Sequence, residues 1–218
     1  MYLMISLFLV TSIAFFATAS LRIKPIAAKL LSIYLIIFTI ISLSGHVAHL
    51  LGLMNEKFFY IVFETIIALL VFIIWLRKGK PNFFPNTKNI KASFFSYVKK
   101  NPDIAILTLV VFLSICIQLY LALYVPPNNN DSLAMHVPRV LYWLQHGNYK
   151  PWNTARVAQI FYPVNAQLQI LRFGVFSKST TFFAVPQFFA ALFGAIAVAG
   201  IAQLINNHKT CLLYTSDA

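Results

Sequence analysis

The chain alternates between long apolar runs and short polar segments. Five runs are long enough to cross a membrane, which takes roughly 20 apolar residues. They cover residues 1–21, 30–53, 58–76, 104–124 and 182–205. Inside a bilayer the backbone must satisfy its own hydrogen bonds, and an unbroken apolar run does so as a helix. The pattern therefore predicts an all-α fold, a polytopic bundle of about five transmembrane helices.

Composition supports the same class of protein. The 218 residues are 60% hydrophobic and only 10% charged, whereas about 25% of the residues in soluble domains are charged. A membrane β-barrel is excluded because its strands are short segments of alternating polarity, not long apolar runs. The lipid bilayer is therefore an expected partner of this chain.

The distribution of basic residues predicts the orientation of the bundle. The net charge is +12, but the cations are concentrated in loops between spans, so no nucleic-acid partner is expected. Loops 22–29 and 77–103 together hold ten Lys and Arg residues, whereas loop 54–57 holds one, balanced by Glu56. Cytoplasmic loops are enriched in Lys and Arg. These two loops are therefore predicted to be cytoplasmic, and the N-terminus and residues 125–181 extracytoplasmic, in a multi-pass protein of the cell (inner) membrane.

The first apolar run has two interpretations. Ala17, Thr18 and Ala19 have the small-residue pattern of a signal-peptide cleavage site. However, no positive charge precedes the run and three follow it, which is the reverse of a signal peptide. We therefore interpret the run as a retained span.

The outer segment 125–181 is too long for a structureless connection. Within 131–146, apolar residues recur at helical spacing, and the opposite face of that helix holds four polar residues: Asp131, Arg139, Tyr142 and His146. Pro138 either kinks this helix or marks a later start. A second apolar stripe follows Pro163 and is flanked by polar residues: Asn165, Gln169 and Arg172. Both patterns predict helices in the membrane interface, with the apolar face toward lipid or bundle.

Asp131 is one of only five acidic residues and directly follows the fourth span. A carboxylate held at the membrane surface can accept a proton or bind a cation. An Asp at the start of a helix is also favoured because it caps free N–H groups and complements the helix dipole. The pattern leaves both interpretations open, and they are compatible.

The polar residues that follow Asp131 suggest a binding site. His136 would point about 140° away from Asp131 on a helix, so no direct pair is expected there. A metal centre would need more ligands than this pattern supplies, and no metal ligand is assigned. Four cations can hold a phosphate or contact lipid headgroups: Arg139, Lys150, Arg156 and Arg172.

Three further polar residues lie inside spans: His46, His49 and Glu64. The turn at 54–57 makes the second and third spans antiparallel and places His46 and Glu64 at similar depth, roughly 10 Å from the outer edge. We therefore predict a His46–Glu64 hydrogen bond or ion pair. It would act as a clasp between the two spans, or as part of a proton or ion path, since ionisable groups in membranes are often functional.

The outer segment resembles a known family. The chain has none of the glycine-rich or nucleophile motifs of soluble enzymes. Residues 130–148 read NDSLAMHVPRVLYWLQHGN, and residues 156–167 read RVAQIFYPVNAQ. Both stretches resemble the first outer loop of GT-C membrane glycosyltransferases, in particular bacterial proteins related to the protein O-mannosyltransferases. The resemblance covers about 125–205, while residues 1–103 are similar only to extra N-terminal spans of some members.

The resemblance implies an activity. It implies transfer of a hexose or pentose from a polyprenyl-phosphate donor to a glycan, lipid or protein acceptor on the outer face. The family's first-loop Asp is thought to act as general base, a role that falls here on Asp131. Five residues are expected to bind substrate: His136, Arg139, Tyr142, Arg156 and Tyr162. Of these, Arg139 or Arg156 would stabilise the departing lipid phosphate.

Two positions depart from the family pattern. Asn130 and Gln167 stand where relatives often carry acidic residues. The sequence therefore leaves open whether the protein needs a divalent cation, and it indicates no protein-bound cofactor. An alternative from another class also stays open, namely a non-enzymatic transporter or flippase-like protein that uses His46 and Glu64.

The chain is expected to divide into three parts. Residues 1–103 form an N-terminal three-span region with a basic cytoplasmic loop, and residues 104–210 begin a catalytic module of span, outer loop and span. Residues 211–218, CLLYTSDA, resemble a translated sequencing adapter. We therefore expect the natural sequence to continue differently after Thr210 and the chain to be the N-terminal fragment of a longer protein.

Overall fold

The computed structural model describes residues 1–23, 25–81, 83 and 101–206, without the side chains of Ile104 and 203–206. Across these residues the fold is all-α, with eight α-helices and no strand. The predicted fold class is therefore confirmed. Five of the loop lysines, Lys24, Lys88, Lys91, Lys99 and Lys100, lie outside the described residues, as does the segment 211–218.

The helices follow the predicted apolar runs closely. They are α1 Tyr2–Ser20, α2 Ile26–Leu51, α3 Lys57–Arg77, α4 Pro102–Tyr124, α5 Val137–His146, α6 Ala158–Phe161, α7 Asn165–Ser177 and α8 Val185–Asn206. A π-helical turn, Ser132–His136, leads into α5, and a 3-10 turn, Thr181–Ala184, leads into α8. Five stretches have the length and apolar composition of membrane spans: Tyr2–Ser20, Ile26–Leu51, Lys57–Arg77, Ala105–Tyr124 and Thr181–Ala202. The chain is a multi-pass membrane protein.

The first three helices pack together as a unit. Val10 and Ile13 of α1 are buried against Ile40 and Ile41 of α2. Apolar side chains on the outer faces of α3 and α4 remain more than half exposed, as lipid-facing residues would be; examples are Leu69 and Phe112. Close contact between helices in lipid depends on such van der Waals packing rather than on the hydrophobic effect.

The two ends of the bundle differ in charge. At one end, Arg22 donates to the Lys78 carbonyl over 3.3 Å, and Lys78 donates to the Ser20 carbonyl over 3.2 Å. The described parts of both basic loops therefore meet at this end. At the opposite end, the α2–α3 turn meets the outer segment, where the Met54 N–H donates to the Gly147 carbonyl over 3.1 Å.

A second core joins the outer segment to this opposite end. Trp143 of α5 and Leu168 and Leu171 of α7 are buried together with Ala48 and Met54. The two predicted outer helices are thus confirmed.

The polar flank predicted for the second outer helix is not at an interface. Gln169 and Arg172 are 7% and 1% exposed, because this flank of α7 faces α1, α2 and α3. An interfacial position for Arg172 was therefore wrong.

Gly147 lets α5 end against the α2–α3 turn. It has φ +68°, a left-handed conformation that favours glycine. A Cβ at Gly147 would lie 2.6 Å from the Gly52 carbonyl oxygen, which is too close for any side chain. The glycine therefore allows the backbone contact that holds the outer segment on the bundle.

Candidate functional site

Pro138 shapes the start of α5. Proline has no N–H, so it cannot donate to the Ala134 carbonyl one turn earlier. The Gln159 side chain donates to that carbonyl instead, over 2.7 Å. Pro138 lies in the first turn of α5, directly after the π-helical turn, and the helical backbone already begins at Asn130, so a helix start delayed to Pro138 is not observed.

Asp131 precedes the π-helical turn and is exposed. Its side chain does not cap the helix; the Ser132 N–H is capped by Asn129, whose Oδ1 accepts over 2.7 Å. Among the described residues the Asp131 carboxylate has no hydrogen bond or ion pair. The chain neighbours Asn129 and Ser132 line a cavity, whereas Asp131 itself is not part of the described lining.

This cavity lies between the spans, at the end that carries the outer segment. Its volume is about 680 Å³, within the range of small-molecule sites. Its walls come from α2, α4, the start of the outer segment, α7 and α8. His136 lies in the wall, and its Nδ1 is 2.8 Å from Gln167 Nε2. The absence of a direct pair with Asp131 agrees with the helical spacing.

The polar side chains of the wall are mostly carboxamides. The described lining includes six of them: Gln118, Asn128, Asn129, Gln167, Gln169 and Gln187. The same lining contains no Asp, Glu, Lys or Arg. Because a carboxamide both donates and accepts hydrogen bonds without carrying charge, this wall suits neutral polar ligands.

Arg139 and Tyr162 are brought together, but through the backbone of Tyr162. Arg139 is only 3% exposed, and its Nη2 donates to the Tyr162 carbonyl over 2.7 Å. Its guanidinium also lies over the Trp143 ring, 4.9 Å from the centroid. Burial lowers the pKa of Arg139 from its usual value, although a guanidinium stays charged in proteins. Arg139 was predicted to share one helix face with Asp131, but its side chain is buried whereas Asp131 is exposed.

The remaining predicted site residues lie apart from the cavity wall. Tyr142 is stacked between His146 and Trp152, with ring centroids 3.9 and 4.1 Å away. Arg156 is exposed in the connection before α6. The side chain of Tyr162 is half exposed.

The predicted His46–Glu64 pair does not form. His46 Nδ1 is 2.8 Å from the Tyr149 hydroxyl, and His46 Nε2 is 2.9 Å from Asn165 Oδ1. Since an amide oxygen only accepts, His46 Nε2 carries a proton and donates to Asn165. Burial raises the pKa of the Tyr149 hydroxyl, so it stays a donor. The prediction failed because the outer segment supplies partners closer than the neighbouring span.

Glu64 pairs with Arg172 instead. The two side chains form an ion pair and are both almost completely buried, and Arg172 also donates to the Ser6 hydroxyl. The guanidinium lies over the Tyr60 ring, 5.6 Å from the centroid. Arg172 therefore connects α7 to α1 and α3 within the bundle and is not available to a lipid headgroup.

Sequence reasoning missed two cavity residues, Gln118 and Gln187, and named Gln167 and Gln169 without predicting that they face a cavity. Gln118 carries a usable signal, because it is an isolated carboxamide within an apolar span. Gln167 and Gln169 stand on α7 and Gln187 on α8, and no local pattern gives the rotation of these two helices relative to α2 and α4. Among the described residues, no three His, Cys, Asp or Glu side chains converge as metal ligands would.

The chain matches no family model, no curated protein and no solved structure.

Proposed function

We propose that the protein is a membrane glycosyltransferase of the GT-C type. It would transfer a sugar from a polyprenyl-phosphate donor to an acceptor at the extracytoplasmic face, with Asp131 as general base. The observation that carries this proposal is an exposed carboxylate without a partner in the described structure, between two chain neighbours, Asn129 and Ser132, that line a cavity between membrane spans. The resemblance of residues 130–148 and 156–167 to the family's first outer loop supports it.

The chemistry requires such a carboxylate. An acceptor hydroxyl is a weak nucleophile, and a positioned base must take its proton as it attacks the sugar carbon. A carboxylate that is neither capping a helix nor paired with a cation retains its lone pairs for that proton. A cavity beside it gives a lipid-linked sugar a place within the bundle, where its phosphate can stay near the membrane surface.

The proposed side of the membrane follows from the basic loops. Arg22, Arg77 and Lys78 lie at the end of the bundle opposite the outer segment. If that end is cytoplasmic, Asp131 and the mouth of the cavity are extracytoplasmic. Polyprenyl-linked sugars and outer-face acceptors would meet there.

The departing lipid phosphate needs positive charge. Arg156 is exposed, and its planar guanidinium suits bidentate phosphate binding. Arg139 keeps Nε and Nη1 without a hydrogen-bond partner in the described structure, although its burial makes it the less accessible cation. We therefore assign phosphate binding first to Arg156, with His136, Tyr142 and Tyr162 as further substrate contacts.

The test is transfer of a radiolabelled sugar from polyprenyl-phosphate donors in membranes that contain the Asp131→Asn protein. We expect turnover to fall by about 100- to 10,000-fold, the usual contribution of a general base, with unchanged protein level in the membrane. Asp103→Asn is the matched control, since Asp103 is also exposed but lies in the first turn of α4, at the other end of that helix. Undiminished transfer by Asp131→Asn, or equal losses in both variants, would contradict the proposal.

A further inference from the structure

The cavity wall carries information about the sugar itself. Its polar groups are carboxamides, Ser132, His136 and Tyr34, and its described lining has no carboxylate, ammonium or guanidinium. We infer that the cavity holds the ring of an uncharged, hydroxyl-rich sugar and excludes acidic sugars. This inference rests on the proposed transfer of a sugar and specifies which donors the site accepts.

Gln169 is the best-defined element of this site. Its Nε2 donates to the Phe38 carbonyl over 3.1 Å and to the Ser42 hydroxyl over 3.0 Å. Because a carbonyl only accepts, these bonds determine which end of the amide is nitrogen. Its Oε1 has no partner among the described residues, although the residue is 7% exposed. Gln169 therefore keeps a free acceptor oxygen in a residue of the cavity wall, and a ligand hydroxyl would satisfy it.

Gln167 and His136 form a second recognition element on the same side. With Gln167 Nε2 donating to His136 Nδ1 over 2.8 Å, the neutral imidazole carries its proton on Nε2. The wall then offers an N–H donor from His136. A sugar hydroxyl can accept from such a donor and donate to Gln169.

The opposite wall supplies two further carboxamides. Gln118 of α4 and Gln187 of α8 line the cavity, and within the described structure their side chains have no hydrogen-bond partner. Both belong to stretches that qualify as membrane spans, where an unpartnered amide is costly unless it faces a cavity or a ligand. Hydrogen-bonding groups therefore face the cavity from both sides.

The absence of charge in the described lining decides the ligand class. A carboxylate enclosed without a cation loses its hydration and gains no compensating partner. A hydroxyl group needs only a neutral donor and acceptor, which carboxamides supply. The cavity volume of about 680 Å³ accommodates a sugar ring, while the lipid-linked phosphate stays outside it, near the membrane surface.

The experiment compares two donors that differ only at C6 of the sugar. Binding of radiolabelled polyprenyl-phosphate glucose and polyprenyl-phosphate glucuronate is measured on the purified full-length protein in detergent. We expect the glucuronate donor to bind at least about tenfold more weakly, since its carboxylate would lie unpaired in the cavity. Gln187→Lys should reduce or reverse the preference for the glucose donor, because it places an ammonium group in the cavity wall. Gln145→Lys is the matched control, since Gln145 is exposed on α5 and is not part of the described lining.

The outcomes separate this inference from the proposed function. Preferential glucose binding that shifts in Gln187→Lys and not in Gln145→Lys supports it, and misfolding cannot produce improved glucuronate binding. Equal or tighter glucuronate binding by the unmodified protein, with sugar transfer intact, overturns the neutral-sugar inference alone. Failure to bind either donor would overturn the inference and the glycosyltransferase proposal together.

Discussion

Two polar regions within the membrane bundle are built in opposite ways. Glu64 and Arg172 are ionisable, almost completely buried and paired with each other. The cavity is lined by uncharged carboxamides, several of which keep unused hydrogen-bonding capacity. The first region is closed on itself, and the second is open to a ligand.

This difference distinguishes polar membrane residues that stabilise the fold from polar membrane residues that suit ligand binding. An ionisable residue inside a membrane is a functional candidate by default, and both His46 and Glu64 met that criterion in the sequence. Yet both are partnered by the outer segment, His46 by Tyr149 and Asn165 and Glu64 by Arg172. They dock α7 and the residues after α5 onto the first three helices. In this chain, unsatisfied neutral groups around a cavity indicate a ligand site better than charge does.

The largest expected effect comes from replacing one member of the Glu64–Arg172 ion pair while the other remains. Arg172→Leu leaves the Glu64 carboxylate buried without a partner, and we expect a loss of about 3–5 kcal/mol in unfolding free energy. The double variant Glu64→Leu/Arg172→Leu should recover most of this loss, because no isolated charge remains. The thermal midpoint of the purified protein in detergent measures both. A double variant no more stable than Arg172→Leu would show that the pair is not the structural unit described here.

The smallest expected effect comes from the cavity wall. Gln187→Ala removes a carboxamide that has no partner in the described structure. The unfolding free energy of the variant, followed by its thermal midpoint, should therefore change by less than about 0.5 kcal/mol. Donor binding should weaken by roughly fivefold, as expected when a hydrogen bond worth about 1 kcal/mol is lost. A large destabilisation with unchanged donor binding would reverse the roles assigned to the two regions.

Much of the fold could be predicted from apolar run length alone. The bounds of the five spans agree with the predicted runs within a few residues, because a helix is the only way for such a run to satisfy its backbone in lipid. The outer helices were also predictable, since Leu168 and Leu171 in one, and Leu133, Val137, Val140 and Leu144 in the other, keep helical spacing. These features depend only on residues close together in the sequence.

The site could be predicted only in part, because it depends on contacts between distant residues. The similar depth of His46 and Glu64 in the membrane suggested that they pair. Depth alone does not give the rotation of each helix, nor does it show that the outer segment supplies other partners. Tyr149 lies 103 positions from His46, and no local pattern brings them together. Likewise, Gln118 and Gln187 face one cavity only because α4 and α8 pack side by side. The division at residue 103 and the role of Asp131 stay predictions.

The central claim is that Asp131 lies at the extracytoplasmic surface, at the mouth of the cavity. Its most direct test is cysteine labelling: Cys116 and Cys211 are replaced by serine, and Asp131→Cys is treated with a membrane-impermeant maleimide in intact cells. Lys78→Cys, at the basic end of the bundle, is the matched control. We predict that Asp131→Cys is labelled in intact cells and Lys78→Cys only after permeabilisation. Labelling in the reverse order, or no labelling of Asp131→Cys under either condition, would contradict the account.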